Sequence, residues 1–563
     1  MRLLLRIPRC VGDARSGDYT LQDIAGHQED LDTATGADRL VARLVSARAT
    51  HAFGIPGGEV LALVDALERA GVRFCLARHE NAAGFMAEGL WRTTGAPPVL
   101  IATLGPGVAN AVNVVANAQQ DRVPLIFITG CVDRDLAESF THQVFDHQAV
   151  LRPLVKASFR AEHGTEALVM DKALAIALQG RPGPVHIDLP IRVAEARIAR
   201  APAMKAASRA LAGALDIEPA CDMLARAKRP LVIAGLDLVS AHGAQALDIF
   251  LKRTGAPLLT TYKAKGLVAE SDPRVIGGVG LSPKADALVR PLLEDADLIV
   301  LAGYDPIEMR AGWRHPWPDD KPVIDIVAQD MPHGMHASTL ILEGDVAATL
   351  TRLAQELPNA QVWANGAPAR VRDLMRSAFA APSQWGPHAV FETLRAATPH
   401  DLVATIDSGA HRILMSQIWT CEAPGLLLQS TGLCTMGCAL PLAMGAAIGT
   451  QAPTLCVVGD AGLEMVLGEL ATLRDMQTPV VIAVLVDQSL SLIALKQRQQ
   501  NLTRAGVDFG ATDFAAVARA MGGHGVDVRD RETLAREAKA AFARRGFTVL
   551  ACHVNADDYE GAF

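Results

Sequence analysis

Val457-Val458-Gly459-Asp460-Ala461-Gly462 and, 27 residues on, Val484-Leu485-Val486-Asp487-Gln488-Ser489 carry the strongest structural signal in the chain. Each acid closes an apolar run that reads as a buried parallel strand, and Leu463–Asp475 between them has helical periodicity. The pair therefore frames one βαβ unit and puts two carboxylates at strand ends, where ligands bind in such sheets. Asp460 and Asp487 suit a hard divalent cation that keeps phosphate oxygens as its other ligands. The small Ala461-Gly462 turn lets a diphosphate approach the backbone and the following helix N-terminus. Acids at strand ends are common, so the spacing alone leaves a purely structural role for both open.

A second constellation begins at Phe53-Gly54-Ile55-Pro56-Gly57-Gly58 and runs through a strand, Val72–Ala77, into Arg78-His79-Glu80-Asn81. It continues through Val99–Thr103 into Leu104-Gly105-Pro106-Gly107, and through Val123–Thr129 into Gly130. Further on come Asp407-Ser408-Gly409-Ala410-His411 and Leu433-Cys434-Thr435-Met436-Gly437. Taken in register from about residue 37 to 555, these motifs resemble the thiamine-diphosphate (ThDP) enzymes, and within them the acetolactate synthase branch.

The resemblance implies roles residue by residue. The cofactor acts as electron sink, and the protein supplies geometry and proton control. Glu80 matches the buried carboxylate that partners the pyrimidine ring and activates the cofactor; burial, which raises a carboxylate's pKa, suits such proton sharing. Without the resemblance, Glu80 reads first as an acid favoured at a helix N-terminus. Met436, ahead of an apolar helix (Ala439–Ile448), matches the wedge that bends the cofactor, whereas a lone Met is more often a core filler. Gln143 matches a glutamine near the reacting carbonyl, although a polar helix face would look similar. Pro56, Gly57, Gly105, His411, Gly459, Ala461 and Gly462 fall at cofactor-contacting positions. Asp460, Asp487 and Ser489 fall at those of Mg²⁺. Lys156, Leu492 and Lys496 are substrate-side candidates, with a structural role open for Lys156 and a solvated helix exterior for Lys496. The family's cofactor straddles two chains, so the resemblance implies a homodimer or homotetramer.

Composition excludes several classes. Half of the 563 residues are hydrophobic, yet no run of about 18 apolar residues indicates a spanning helix. A net charge of −8 offers no basic patch for nucleic acid. Nine scattered cysteines suggest a reducing, cytoplasmic setting, and Cys434 and Cys438 lack a second pair at zinc spacing. Residues 1–36, arginine-rich around Leu3-Leu4-Leu5 and then acidic, read as a flexible extension or an overlong start rather than a targeting peptide.

The expected architecture is α/β with three doubly wound parallel-sheet domains: pyrimidine-binding (37–200), central (216–355) and diphosphate/Mg-binding (385–560). An Ala-rich linker lies near 195–215. Central strands are expected at Pro230–Ala234, Ala256–Thr261, Ala296–Ala302, Val323–Val327 and Thr339–Leu342, and the last strand of the third domain at Phe547–Val554. No Gly-x-Gly-x-x-Gly opens the central domain, so FAD is not expected there. Two departures from the family pattern stand out. Ala461 replaces a glycine, which is tolerable only at φ below zero. Lys496 stands where biosynthetic synthases carry a tryptophan that selects the acceptor. The expected activity is decarboxylation of a 2-ketoacid, pyruvate first, with carboligation to a second carbonyl. The alternatives are a 2-ketoacid decarboxylase, a carboligase with another acceptor, or a non-catalytic subunit of the same fold.

Overall fold

Short runs of Val, Ile, Leu and Ala, buried on both faces, become strands, and the amphipathic stretches between them become the covering helices. In a computed structural model, residues 34–197, 212–360 and 362–563 are described. The N-terminal extension up to residue 33 and most of the linker lie outside them. β1 (His51–Ile55), β2 (Arg73–Leu76), β3 (Val99–Ala102), β4 (Ile126–Cys131), β5 (Ala157–Arg160) and β6 (Val185–Pro190) form a parallel sheet in the order β2-β1-β3-β4-β6-β5. β7 (Pro230–Ala234), β8 (Leu258–Thr260), β9 (Val275–Gly278), β10 (Leu298–Ala302), β11 (Val323–Val327) and β12 (Leu340–Glu343) form a second, ordered β12-β11-β10-β7-β8-β9. β13 (Ala404–Ile406), β14 (Leu427–Leu428), β15 (Thr454–Gly459), β16 (Val480–Val486), β17 (His524–Val528) and β18 (Thr548–His553) form the third, ordered β14-β13-β15-β16-β18-β17.

The first and third sheets repeat one strand order without a visible sequence repeat, so the shared topology rests on hydrophobic pattern alone. In both, the chain leaves the first strand for one side of the sheet and then returns to the other, which opens a crevice at the strands' C-terminal ends. In the first sheet that crevice is flanked by Pro56-Gly57 after β1 and Leu104-Gly105 after β3. In the third it is flanked by Asp407–His411 after β13 and Gly459–Gly462 after β15.

Two local expectations differ from what is observed, and one further helix appears. The strand β9 was not anticipated, because two of its four residues are glycines, which weaken a strand signal. The expected single helix Leu463–Asp475 is two, Asp460–Met465 and Glu469–Met476, separated at Gly468. The stretch between Pro358 and Pro387 contains a helix, Ala367–Ala378, with Pro at its first turn. Its buried Val371 and Met375 join the apolar core shared by the second and third sheets.

Candidate cofactor site

β15 and β16 run in register from Thr454↔Val480 to Gly459↔Leu485, so the two acids emerge side by side. Asp460 Oδ2 accepts the amides of Asp487 (3.0 Å) and Gln488 (2.7 Å), and its Oδ1 accepts that of Ala461 (2.9 Å). Asp487 Oδ1 accepts the Ser489 amide (3.0 Å) and its Oδ2 the Ser491 hydroxyl (2.6 Å). Burial raises the carboxyl of Asp460, and burial together with the Asp460 charge pushes Asp487 up to about 7. Two acids so placed are short of positive charge, the condition a divalent cation relieves. Ser489 lines the same cavity, while its hydroxyl accepts a hydrogen bond from Arg504 (3.2 Å). Ala461 sits in the helix Asp460–Met465 and is absent from the positive-φ residues, so the glycine it replaces is not needed. Gly462 is needed: a Cβ there would lie 2.2 Å from Asp407 Oδ2.

Asp407, read from sequence only as part of a motif, is what shapes the opposite wall. Its carboxylate is fully buried and accepts the amides of Gly437 (2.8 Å), Cys438 (2.9 Å) and Ala439 (3.3 Å). It thereby fixes the turn that presents Met436. Arg412 donates to the Ser430 carbonyl (2.6 Å) and contacts Cys434 Sγ (3.3 Å), bracing the approach to the same turn. Asp407→Ala strands those amides at roughly 1–3 kcal/mol each. The expected result is a thermal midpoint several degrees lower by circular dichroism, with Asp407→Asn recovering part of the loss.

A cavity of about 220 Å³ results, lined by Met436, His411, Gly459–Gly462, Asp487, Ser489 and Leu492. His411 is pushed down to about 4 by burial and by Arg412, so its imidazole is neutral. Its Nε2 and the Ser408 hydroxyl are buried without a hydrogen-bond partner. These polar groups, the helix start at Asp460 and the paired acids fit the diphosphate and cation of ThDP. The structure brings Leu492 to the cavity wall, whereas Lys496, on the same helix Ser491–Gln499, is exposed and not among the lining residues.

In the first domain, Glu80 opens the helix Glu80–Thr94 and is buried. Asn110 donates to its Oε2 (3.0 Å), and a Cβ on Gly107 would lie 3.3 Å from its Oε1. Glu469 accepts the amides of Arg78 (2.9 Å) and His79 (3.1 Å) and so fixes the turn before Glu80, a part that no motif announced. Gly105 has φ 62°, and a Cβ there would meet the Gln143 carbonyl oxygen at 2.3 Å, so the Gly-Pro-Gly turn and the Gln143 loop lie against each other. Gln143 itself is exposed, with φ 59°. Pro56 and Gly57 leave β1, where a Cβ on Gly57 would overlap Thr103. The Gly105 amide donates to His147 Nε2 (3.1 Å), whose Nδ1 is 2.8 Å from Asp188, so the ring proton sits on Nδ1. No sequence motif singles out His147. Lys156 does not gain a substrate-side position: its ammonium caps the carbonyls of Gln179 and Arg181 after the helix Glu166–Leu178.

Family models describe the same three units: a thiamine pyrophosphate enzyme N-terminal binding domain at 34–150, a central domain at 217–353 and a C-terminal binding domain at 407–552. An acetolactate synthase of Bacillus subtilis is 29% identical over 94% of this chain and 95% of its own length. The acetolactate synthase isozyme 1 large subunit of Escherichia coli is 30% identical over 93% and 94%, respectively. The chain belongs to the thiamine pyrophosphate enzyme family. A further relative, a probable 2-ketoarginine decarboxylase of Pseudomonas aeruginosa, is 30% identical over 92% of this chain and 94% of its own. The chain is thus a ThDP-dependent enzyme similar to acetolactate synthases. Among the described residues no helix is long and apolar enough to cross a membrane, and the eight cysteines form no disulfide.

Proposed function

We propose that the protein decarboxylates a 2-ketoacid, pyruvate first, and joins the remaining two-carbon unit to a second carbonyl, as an acetolactate synthase does. The observation that carries this is the joint presence of Glu80 on the first sheet and the Asp460–Asp487 pair on the third, in a chain with synthase relatives over nearly its full length. A scaffold subunit has no use for all three. When bound, ThDP supplies a nucleophilic carbon and an electron sink for loss of CO₂. Asp460, Asp487 and Ser489 would hold Mg²⁺ on the diphosphate, and His411, Gly459, Ala461 and Gly462 the diphosphate itself. Met436 would orient the rings. Glu80, held by Asn110, would keep a proton on the pyrimidine nitrogen, with Pro56, Gly57 and Gly105 shaping that half of the site. Gln143 would face the substrate carbonyl. Because the family's cofactor straddles two chains, the working unit is proposed to be at least a homodimer, with a cytoplasmic setting and no flavin.

A panel of 2-ketoacids incubated with protein, ThDP and Mg²⁺ tests this by CO₂ release and product mass. Pyruvate should give CO₂ and a five-carbon acetohydroxyacid; no turnover of any 2-ketoacid would contradict it. A second proposal, simple decarboxylation, draws on the 2-ketoarginine decarboxylase relative. It expects an aldehyde as the sole product and preference for a longer, guanidino-bearing acid. Lys496→Gln separates donor from acceptor chemistry. If the ammonium serves a carboxylate-bearing acceptor, the acceptor KM rises several-fold while the first decarboxylation is unchanged. Its exposure in the structure favours the other outcome, no change in either.

A further inference from the structure

Asp325 lies in β11, and the segment 328–339 that follows it carries neither helix nor strand before β12 begins. That segment contains His333 and His336 in a His-x-x-His spacing. His336 Nε2 lies 3.3 Å from Asp325 Oδ2, with both side chains buried, and the two imidazole rings are 4.5 Å apart between centroids. One nitrogen of each histidine and a carboxylate oxygen of Asp325 all fall within 4.8 Å of one another. Tyr304 and Trp317 pack on the His336 ring at 5.4 Å each and hold its orientation.

Two features set this cluster apart. Asp325 is 5% exposed, yet its Oδ1 has no hydrogen-bond partner, while Oδ2 takes both His336 and the Ser338 hydroxyl (3.2 Å). A buried carboxylate oxygen left bare is costly unless something binds it. The other His/Asp group with ligand spacing, His147–His186–Asp188, contrasts with it. There both imidazoles use both nitrogens, on Gly105, Asp188, Thr129 and Ser158. Among the described residues the only hydrogen bond given to the His333 ring is that of the Met335 amide on Nδ1, at 3.2 Å. Either ring nitrogen can ligate at the expense of that bond.

We propose that Asp325, His333 and His336 bind a divalent transition-metal ion of the zinc class. Two imidazoles and one carboxylate are ligands such ions accept, with one position left for water or an anion. The ion would complete the Asp325 carboxylate and pin the segment 328–339 to the sheet, a task no regular structure there performs.

Co²⁺ added to the full-length, chelator-treated protein in excess Mg²⁺, without ThDP, is the probe. Mg²⁺ occupies all-oxygen sites, so an intense visible ligand-field band, well above that of aqueous Co²⁺, reports a low-coordinate site with nitrogen ligands. One equivalent of Co²⁺ should give that band and raise the thermal midpoint. His333→Ala and Asp325→Asn should each abolish both effects. The partly exposed His333 makes the first variant safe for folding, and its metal-free midpoint should stay within a few degrees of the wild type. Absence of the band in the wild-type protein, or its persistence in the His333→Ala variant, would overturn the assignment.

Discussion

Glu80→Gln is expected to lower turnover at least about a hundredfold, the scale of losing one positioned acid–base group, while leaving the fold and ThDP binding largely intact. Glutamine keeps the side-chain volume and an oxygen for Asn110 Nδ2, so the helix start held by Glu469 should survive. What it loses is the carboxyl proposed to hold a proton on the pyrimidine ring. Hydrogen–deuterium exchange at the cofactor's reactive carbon, followed by NMR, isolates that loss from substrate effects. Wild-type exchange rates in the variant would remove Glu80 from the proposed role.

Asp460→Ala should have the second large effect, loss of ThDP retention through gel filtration even at millimolar Mg²⁺. The carboxylate does two jobs. It accepts the amides of Asp487 and Gln488, which set the turn after β16, and that of its own neighbour Ala461, and with Asp487 it forms the negative pair proposed to hold the cation. Asp487→Ala tests the second job more cleanly, because Asp487 accepts only one amide, that of Ser489, besides the Ser491 hydroxyl. Both variants should elute without cofactor. Retention in Asp487→Ala would mean that one carboxylate suffices and that the pair is not the metal site.

Much of this was legible before any coordinates. The apolar runs ending in Asp460 and Asp487 fixed a βαβ unit because strands buried on both faces need continuous Val, Ile and Leu. Glycines with steric duties, Gly105 and Gly462, marked where backbone approaches backbone or carboxylate. What escaped was the support around the named residues. Asp407, Glu469, Asn110 and His147 act by accepting or donating hydrogen bonds across 30 to 391 positions of sequence, and no local periodicity encodes such pairings. β9 escaped because Gly277 and Gly278 blunt its β signal. Lys496 was a departure in sequence whose side chain proved exposed, since a helix of nine residues gives too little periodicity to assign its faces.

Calorimetric titration of ThDP into the wild-type protein, once with Mg²⁺ and once with a chelator, tests the central claim most directly. If the Asp460–Asp487 pair holds a cation that bridges to the diphosphate, ThDP binds saturably with Mg²⁺ and at least about a hundredfold more weakly without it, since two uncompensated carboxylates then face the phosphates. Equal affinity under both conditions would contradict the account.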